Sequence, residues 1–65
     1  MNKEQFIDMK KKLIKRLNKD FQEHWKSAEE YNKQGNKESE QCEIGIATGI
    51  CLAIRKIEKL RYTYE

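Results

Sequence analysis

The chain has 65 residues, of which 38% are charged and 37% apolar, and its formal net charge is +3. A single domain of this length buries only about 60% of the surface that its unfolded chain exposes, so its own core is small. The sequence has neither the apolar stretch of a signal peptide nor the roughly 20 apolar residues that span a bilayer. We therefore expect a cytoplasmic protein that does not bind membranes.

The first predicted element is a helix from about residue 3 to about residue 33. The chain has no proline, and its three glycines all follow this segment, so nothing interrupts the helix. Asn2 and Gln5 have the spacing of a capping box. Lys10 is a charged exception inside the apolar arc. The apolar residues that recur at helical spacing are Phe6, Leu13, Leu17, Phe21, Trp25, Ala28 and Tyr31.

A loop at about residues 34–36 and a helix from about residue 37 to about residue 62 follow. Gly35 can take the left-handed conformation that ends a helix, and Asn36 can cap the next one. The main apolar stripe of this second helix consists of Cys42, Ile46, Ile50, Ala53, Ile57, Leu60 and Tyr64. A second apolar set points to another side and consists of Ile44, Ala47, Cys51 and Ile54.

These helices predict an all-α fold, a two-helix antiparallel hairpin that assembles into a homodimeric four-helix bundle. In the hairpin, Gly45, Gly49 and Ala53 lie every four residues along one ridge, opposite Phe21 and Trp25. We predict close helix packing at these five residues, where the small ones either make room for the rings or let a symmetry-related helix approach. One partner helix cannot cover both apolar sets of the second helix. The predicted oligomer interface is therefore the second set, Ile44, Ala47, Cys51 and Ile54.

The sequence offers little that could support catalysis or metal binding. His24 is the only histidine, and Asp20 lies one helical turn before it, but no nucleophile or oxyanion site completes a catalytic group. Cys42 and Cys51 lie about 13.5 Å apart on one helix, too far for a disulfide, and with one histidine they form a poor zinc site. We expect no enzymatic activity, no metal and no cofactor.

Positive charge gathers at the open end of the predicted hairpin, where both chain termini lie. Such charge can simply keep a small protein in solution, or it can bind an anionic protein surface, a nucleotide or a nucleic acid. The predicted binding surface for an anionic partner consists of Lys11, Lys12, Lys15, Arg16, Lys19, Arg55, Lys59 and Arg61. Tyr62 and Tyr64 lie nearby and could stack on bases.

Two segments, YNKQGNKE at residues 31–38 and EIGIATGICLAIR at residues 43–55, carry a resemblance of style. With the small size and the Lys/Glu/Asn/Ile-rich composition, they resemble the accessory proteins that phages and prophages of low-GC bacteria encode. The resemblance implies a stoichiometric inhibitor of a host enzyme or immune protein, or a sponge for nucleotide signals, acting in the host cytoplasm. It assigns a role to no individual residue.

Our leading hypothesis from the sequence is a non-enzymatic, homo-oligomeric helical protein that binds and modulates another macromolecule, such as a host or immune protein. The alternative is a small nucleic-acid or nucleotide-signal binding protein that uses the same basic end. Direct binding of labelled DNA, RNA or cyclic nucleotides separates the two hypotheses.

Overall fold

The protein consists of two antiparallel helices in a computed structural model. The structure describes residues 1–62. Helix α1 spans Lys3–Lys33 and helix α2 spans Lys37–Glu58, and the two pack against each other. The described residues contain no strand, so the predicted all-α hairpin is confirmed. The Cα atoms extend over 54 × 14 × 11 Å with a radius of gyration of 15.5 Å. A globular chain of this length has a radius of about 11 Å, so the hairpin is a rod.

Local signals in the sequence set three of the four helix ends. The side-chain oxygen of Asn2 accepts a hydrogen bond from the Gln5 amide at 2.8 Å, and the Gln5 side chain accepts one from the Asn2 amide at 2.9 Å. This is the capping box. Gly35 follows α1 with a φ of +74°, and the Asn36 side chain accepts from the Ser39 amide at 3.2 Å to begin α2. These contacts fix the turn between the helices.

The carboxyl end of α2 is set by a contact with the other helix. The Lys10 Nζ donates to the carbonyl oxygens of Glu58 at 2.8 Å and Leu60 at 2.9 Å. A cation is favourable there because the helix dipole is negative at that end and its last carbonyls have no partner within the helix. α2 therefore ends at Glu58, before the predicted end near residue 62.

Replacing Lys10 by Met tests this contact. We expect a loss of about 1 kcal/mol in the free energy of unfolding, because two carbonyl oxygens lose a charged donor. The control is Lys12→Met, which removes only an exposed ion pair to Asp8 at 3.0 Å and should change stability by less than about 0.5 kcal/mol. Urea unfolding followed by circular dichroism measures both variants. Equal stability of the two variants would contradict the capping role of Lys10.

The surface between the helices follows a heptad pattern, with steps that alternate between three and four residues, as in a left-handed coiled coil. Among the described residues only Ala28, at 4% exposure, and Ala47, at 0%, are buried. The partly buried residues of α1 along this surface include Lys10, Ile14, Leu17, Phe21, His24 and Tyr31. Those of α2 include Glu40, Glu43, Ile44, Ile50, Cys51, Ile54 and Ile57. The core is therefore narrow and formed by small or half-exposed side chains.

The predicted oligomer interface of Ile44, Ala47, Cys51 and Ile54 lies instead between the two helices of one chain. Ala47 has no exposed surface left for another copy, and the other three are half-buried. The sequence pattern placed the larger apolar stripe of the second helix, which begins at Cys42, against the first helix of the same chain. The structure turns this smaller set inward together with Ile50 and Ile57 of the larger stripe. Ala47 and Ile54 share a heptad position, and the short alanine lets the helices approach.

Gly45 and Gly49 lie on the outside of α2. A Cβ atom added to either glycine would meet no atom within 4 Å, so the prediction that they make room for Phe21 and Trp25 is wrong within the hairpin. The two rings stack on each other, with centroids 6.1 Å apart and planes at 11°, and Trp25 keeps 44% of its surface exposed. Each glycine is two residues from Ala47, about 200° around the helix, and so faces away from α1.

Candidate functional site

The open end of the hairpin is basic, because the antiparallel arrangement places the end of α2 beside the start of α1. All eight predicted binding residues are exposed. Lys11, Lys15 and Lys19 follow one another every four residues and therefore form a ridge on α1. Of the remaining members, Lys12 and Arg16 line a separate groove on α1, and Arg55, Lys59 and Arg61 lie at or just beyond the end of α2. We call these eight residues the basic surface.

Most of the positive charge on the basic surface is available to a ligand. Lys12 pairs with Asp8, and both side chains are well exposed, so the pair is weak. Within residues 1–62, no carboxylate forms an ion pair with any other member of the surface. An incoming anion therefore does not have to displace an internal partner from these cations.

A cleft of about 450 Å³ opens beside the basic surface, between the start of α1 and the chain that follows α2. Its cationic residues are Lys3, Lys10, Lys11 and Arg61, and none of its lining residues is acidic. Its remaining lining residues are Phe6, Ile7, Ile14, Leu60 and Tyr62. This open-end cleft combines an apolar floor with a cationic rim, a combination that suits a ligand with an apolar group beside a carboxylate or phosphate.

Tyr62, predicted as a stacking residue, packs within the hairpin. Its ring lies 5.6 Å from the ring of Phe6 at an angle of 52°, and its hydroxyl donates to the carbonyl oxygen of Met1 at 3.0 Å. These contacts hold Tyr62 against the start of the chain. Tyr64, the other predicted stacking residue, lies outside the described residues.

His24 joins the helices through Glu43 and not through Asp20, its neighbour along α1. The His24 Nδ1 lies 2.6 Å from the Glu43 Oε2, and both side chains are partly buried. Residues 1–62 contain no group of three or more His, Cys, Asp or Glu side chains that could hold a metal ion. Cys42 is exposed, Cys51 is half-buried, and both are free thiols. The His24 contact is thus a polar link across the hairpin.

A second exposed surface, which we call the back face of α2, includes Gly45, Gly49 and Ala53, where the sequence allowed a symmetry-related helix to approach. It surrounds the outward-facing glycines and consists of Cys42, Gly45, Ile46, Gly49, Leu52 and Ala53. Ile46 is 45% exposed and Leu52 is 52% exposed, although neither carries a polar group. The sequence indicates such an exposed apolar surface, since no charged residue occurs from Ile44 to Ile54 and α1 can cover only one side of α2.

Neither helix of the described part is long and apolar enough to cross a membrane.

Compared with known protein families, with curated proteins and with solved structures, the chain gives no match.

Proposed function

We propose that the protein is a non-enzymatic, homo-oligomeric helical protein that binds an acidic surface of another protein through its basic open end and inhibits that protein. The observation that carries the proposal is the exposed basic surface, most of which has no carboxylate partner within the described residues. Unpaired cations attract an oppositely charged partner over a distance of about 10 Å and speed its association.

The open-end cleft favours a protein over a nucleic acid as the partner. Its apolar floor can receive a leucine or phenylalanine side chain, while the cations at its rim contact neighbouring carboxylates. Nucleic acid, the alternative from the sequence, would use exposed rings for stacking, whereas Tyr62 is packed against Phe6. An acidic protein segment with an apolar anchor therefore fits this surface better.

The inhibitory outcome rests on the resemblance to small phage accessory proteins. Proteins of that style often act as stoichiometric inhibitors of a host enzyme or immune protein, or as sponges for nucleotide signals. A narrow rod with one charged end suits the first of these actions. We propose the cytoplasm of a bacterial host as the place of action.

Fluorescence anisotropy with labelled probes tests the proposed binding. The probes are a peptide that alternates acidic residues with Leu and Phe, a single-stranded DNA, a single-stranded RNA and a cyclic nucleotide. We expect the peptide to bind, and we expect the double substitution Lys11→Glu and Lys15→Glu to weaken binding by about tenfold for each reversed charge. The affinity should also fall as salt is raised.

The matched control reverses two charges away from the basic surface, with Lys26→Glu and Lys37→Glu. These side chains are exposed and change the net charge by the same amount, so only the position differs. We expect the control to keep its affinity within about threefold. Equal losses in both double variants would mean non-specific attraction and contradict the proposal. Binding of DNA, RNA or the cyclic nucleotide without peptide binding would support the alternative function.

A further inference from the structure

We infer that a second copy of this chain packs against the back face of α2, with the two α2 helices antiparallel and the two-fold axis near Gly49. The inference rests on the homo-oligomer in the proposed function and specifies its surface and its direction. It replaces the interface expected from the sequence, whose central residue Ala47 is buried within one chain.

The exposed surface area of the hairpin is large enough to include an interface with a second copy. The chain exposes 5652 Å², whereas a folded monomer of 7.8 kDa exposes about 4,400 Å². The excess of about 1,250 Å² follows from the rod shape. A standard stable interface buries roughly 800 Å² of each partner. A rod with this much additional surface can therefore bury an ordinary dimer interface.

The back face has the shape of a helix-packing surface. Cys42, Gly45, Gly49, Leu52 and Lys56 are separated by steps of three or four residues, the spacing of a coiled-coil seam. Because no atom lies within 4 Å of a Cβ atom added at Gly45 or Gly49, the backbone is open to a neighbour there. Two such helices can approach more closely than helices that carry side chains at these positions.

Antiparallel packing makes the back face complementary to itself. A two-fold axis near Gly49 pairs positions whose numbers sum to about 98, which places Ile46 against the partner subunit's Leu52. It also brings Glu38, in the acidic first turn of α2, within about one helical turn of the partner subunit's Lys56, in the basic last turn. Parallel packing would bring the acidic turns together and the basic turns together, which is unfavourable.

The substitution Gly49→Leu tests the position of the axis. In the hairpin a Cβ atom at position 49 meets no atom within 4 Å, so the variant should fold and keep its helix content by circular dichroism. In the dimer the side chain would meet its own copy, and we expect sedimentation equilibrium to show at least a hundredfold weaker self-association. Gln22→Leu, on an exposed site of α1, is the control and should leave self-association unchanged. Undiminished self-association of Gly49→Leu would overturn the inference.

The direction of packing can be tested with the native thiol of Cys42 and a single substitution, Lys56→Cys. Within one helix these positions are about 21 Å apart, too far for a disulfide. Across the antiparallel pair they lie opposite each other, so mild oxidation should link position 42 of one protomer to position 56 of the other. Peptide mapping by mass spectrometry identifies the link. Links between identical positions, 42 to 42 and 56 to 56, would indicate parallel packing and overturn the inference.

Failure of this inference can be distinguished from failure of the proposed binding. The basic surface does not include the back face, so monomeric Gly49→Leu should still bind the acidic peptide through each open end. A wild-type chain that binds the peptide but stays monomeric overturns the dimer alone. A dimer that carries the expected crosslink but binds no peptide overturns the proposed partner and leaves the back face as a self-interface.

Discussion

Ala47→Asp should unfold the hairpin. Ala47 is completely buried between the helices, so the new carboxylate would have to lose its hydration. An unpaired buried charge of this kind costs about 3–5 kcal/mol. Folded domains have only about 0.05–0.15 kcal/mol of stability per residue, so a chain of 65 residues cannot absorb this loss easily. We expect far-ultraviolet circular dichroism to show most of the helix signal lost.

The control for this variant is Thr48→Asp, at the next position of the same helix. Thr48 is exposed, so the same charge is added without burial. We expect a change of less than about 1 kcal/mol in the free energy of unfolding. If Ala47→Asp retained its helix signal and unfolded at the same urea concentration as Thr48→Asp, the two residues would not differ in burial, and the placement of α2 would be wrong.

The same substitution at two glycines should change stability in opposite directions. Gly35 has a φ of +74°, a conformation that a residue with a Cβ atom adopts at a cost of about 1–2 kcal/mol, so Gly35→Ala should destabilise the hairpin. Gly45 lies inside α2 with open space around it, so Gly45→Ala should stabilise a monomeric hairpin by about 1 kcal/mol. The expected difference between the variants is therefore about 2–3 kcal/mol.

Thermal and urea unfolding of dilute protein measure this difference, because dilution separates the stability of the hairpin from any contribution of a second copy. A loss of stability in Gly45→Ala under monomeric conditions would mean that the glycine contacts another part of its own chain. A gain in Gly35→Ala would mean that the turn does not need the left-handed conformation.

The signals that predicted the fold correctly are local. Asn2 with Gln5 and Asn36 with Ser39 satisfy backbone groups within one turn, and Gly35 takes its conformation alone. Such contacts depend on residues close in the chain, so the sequence displays them directly. The end of α2 depends on Lys10, which lies 48 residues before Glu58. No local pattern could reveal that contact.

The rotation of α2 about its axis could not be read from the sequence, because apolar residues from Ile44 to Ile54 surround the helix on nearly all sides. Several faces of such a segment can pack against α1 at similar hydrophobic gain. The choice depends on how the helices fit, and here Ala28 and Ala47, both small, are the residues that become buried. The glycines consequently face outward, opposite to the prediction.

In the candidate site too, features that depend on neighbouring residues could be predicted from the sequence, and features that depend on distant residues could not. The cations of the basic surface could be identified because lysine and arginine cluster along the chain, and all of them are exposed. The open-end cleft could not be identified, since it requires Leu60 and Tyr62 to leave the helix and lie near Phe6. Its shape is a consequence of the early end of α2.

The solution mass of the wild-type chain tests most directly whether two hairpins form a dimer through an apolar interface. Sedimentation equilibrium should be run over a wide range of protein concentrations, in about 0.1 M and about 1 M salt. We expect a dimer, with twice the monomer mass of 7.8 kDa, that persists at the higher salt because its interface is mainly apolar. A mass of 7.8 kDa at every concentration and in both salts would contradict the assembly.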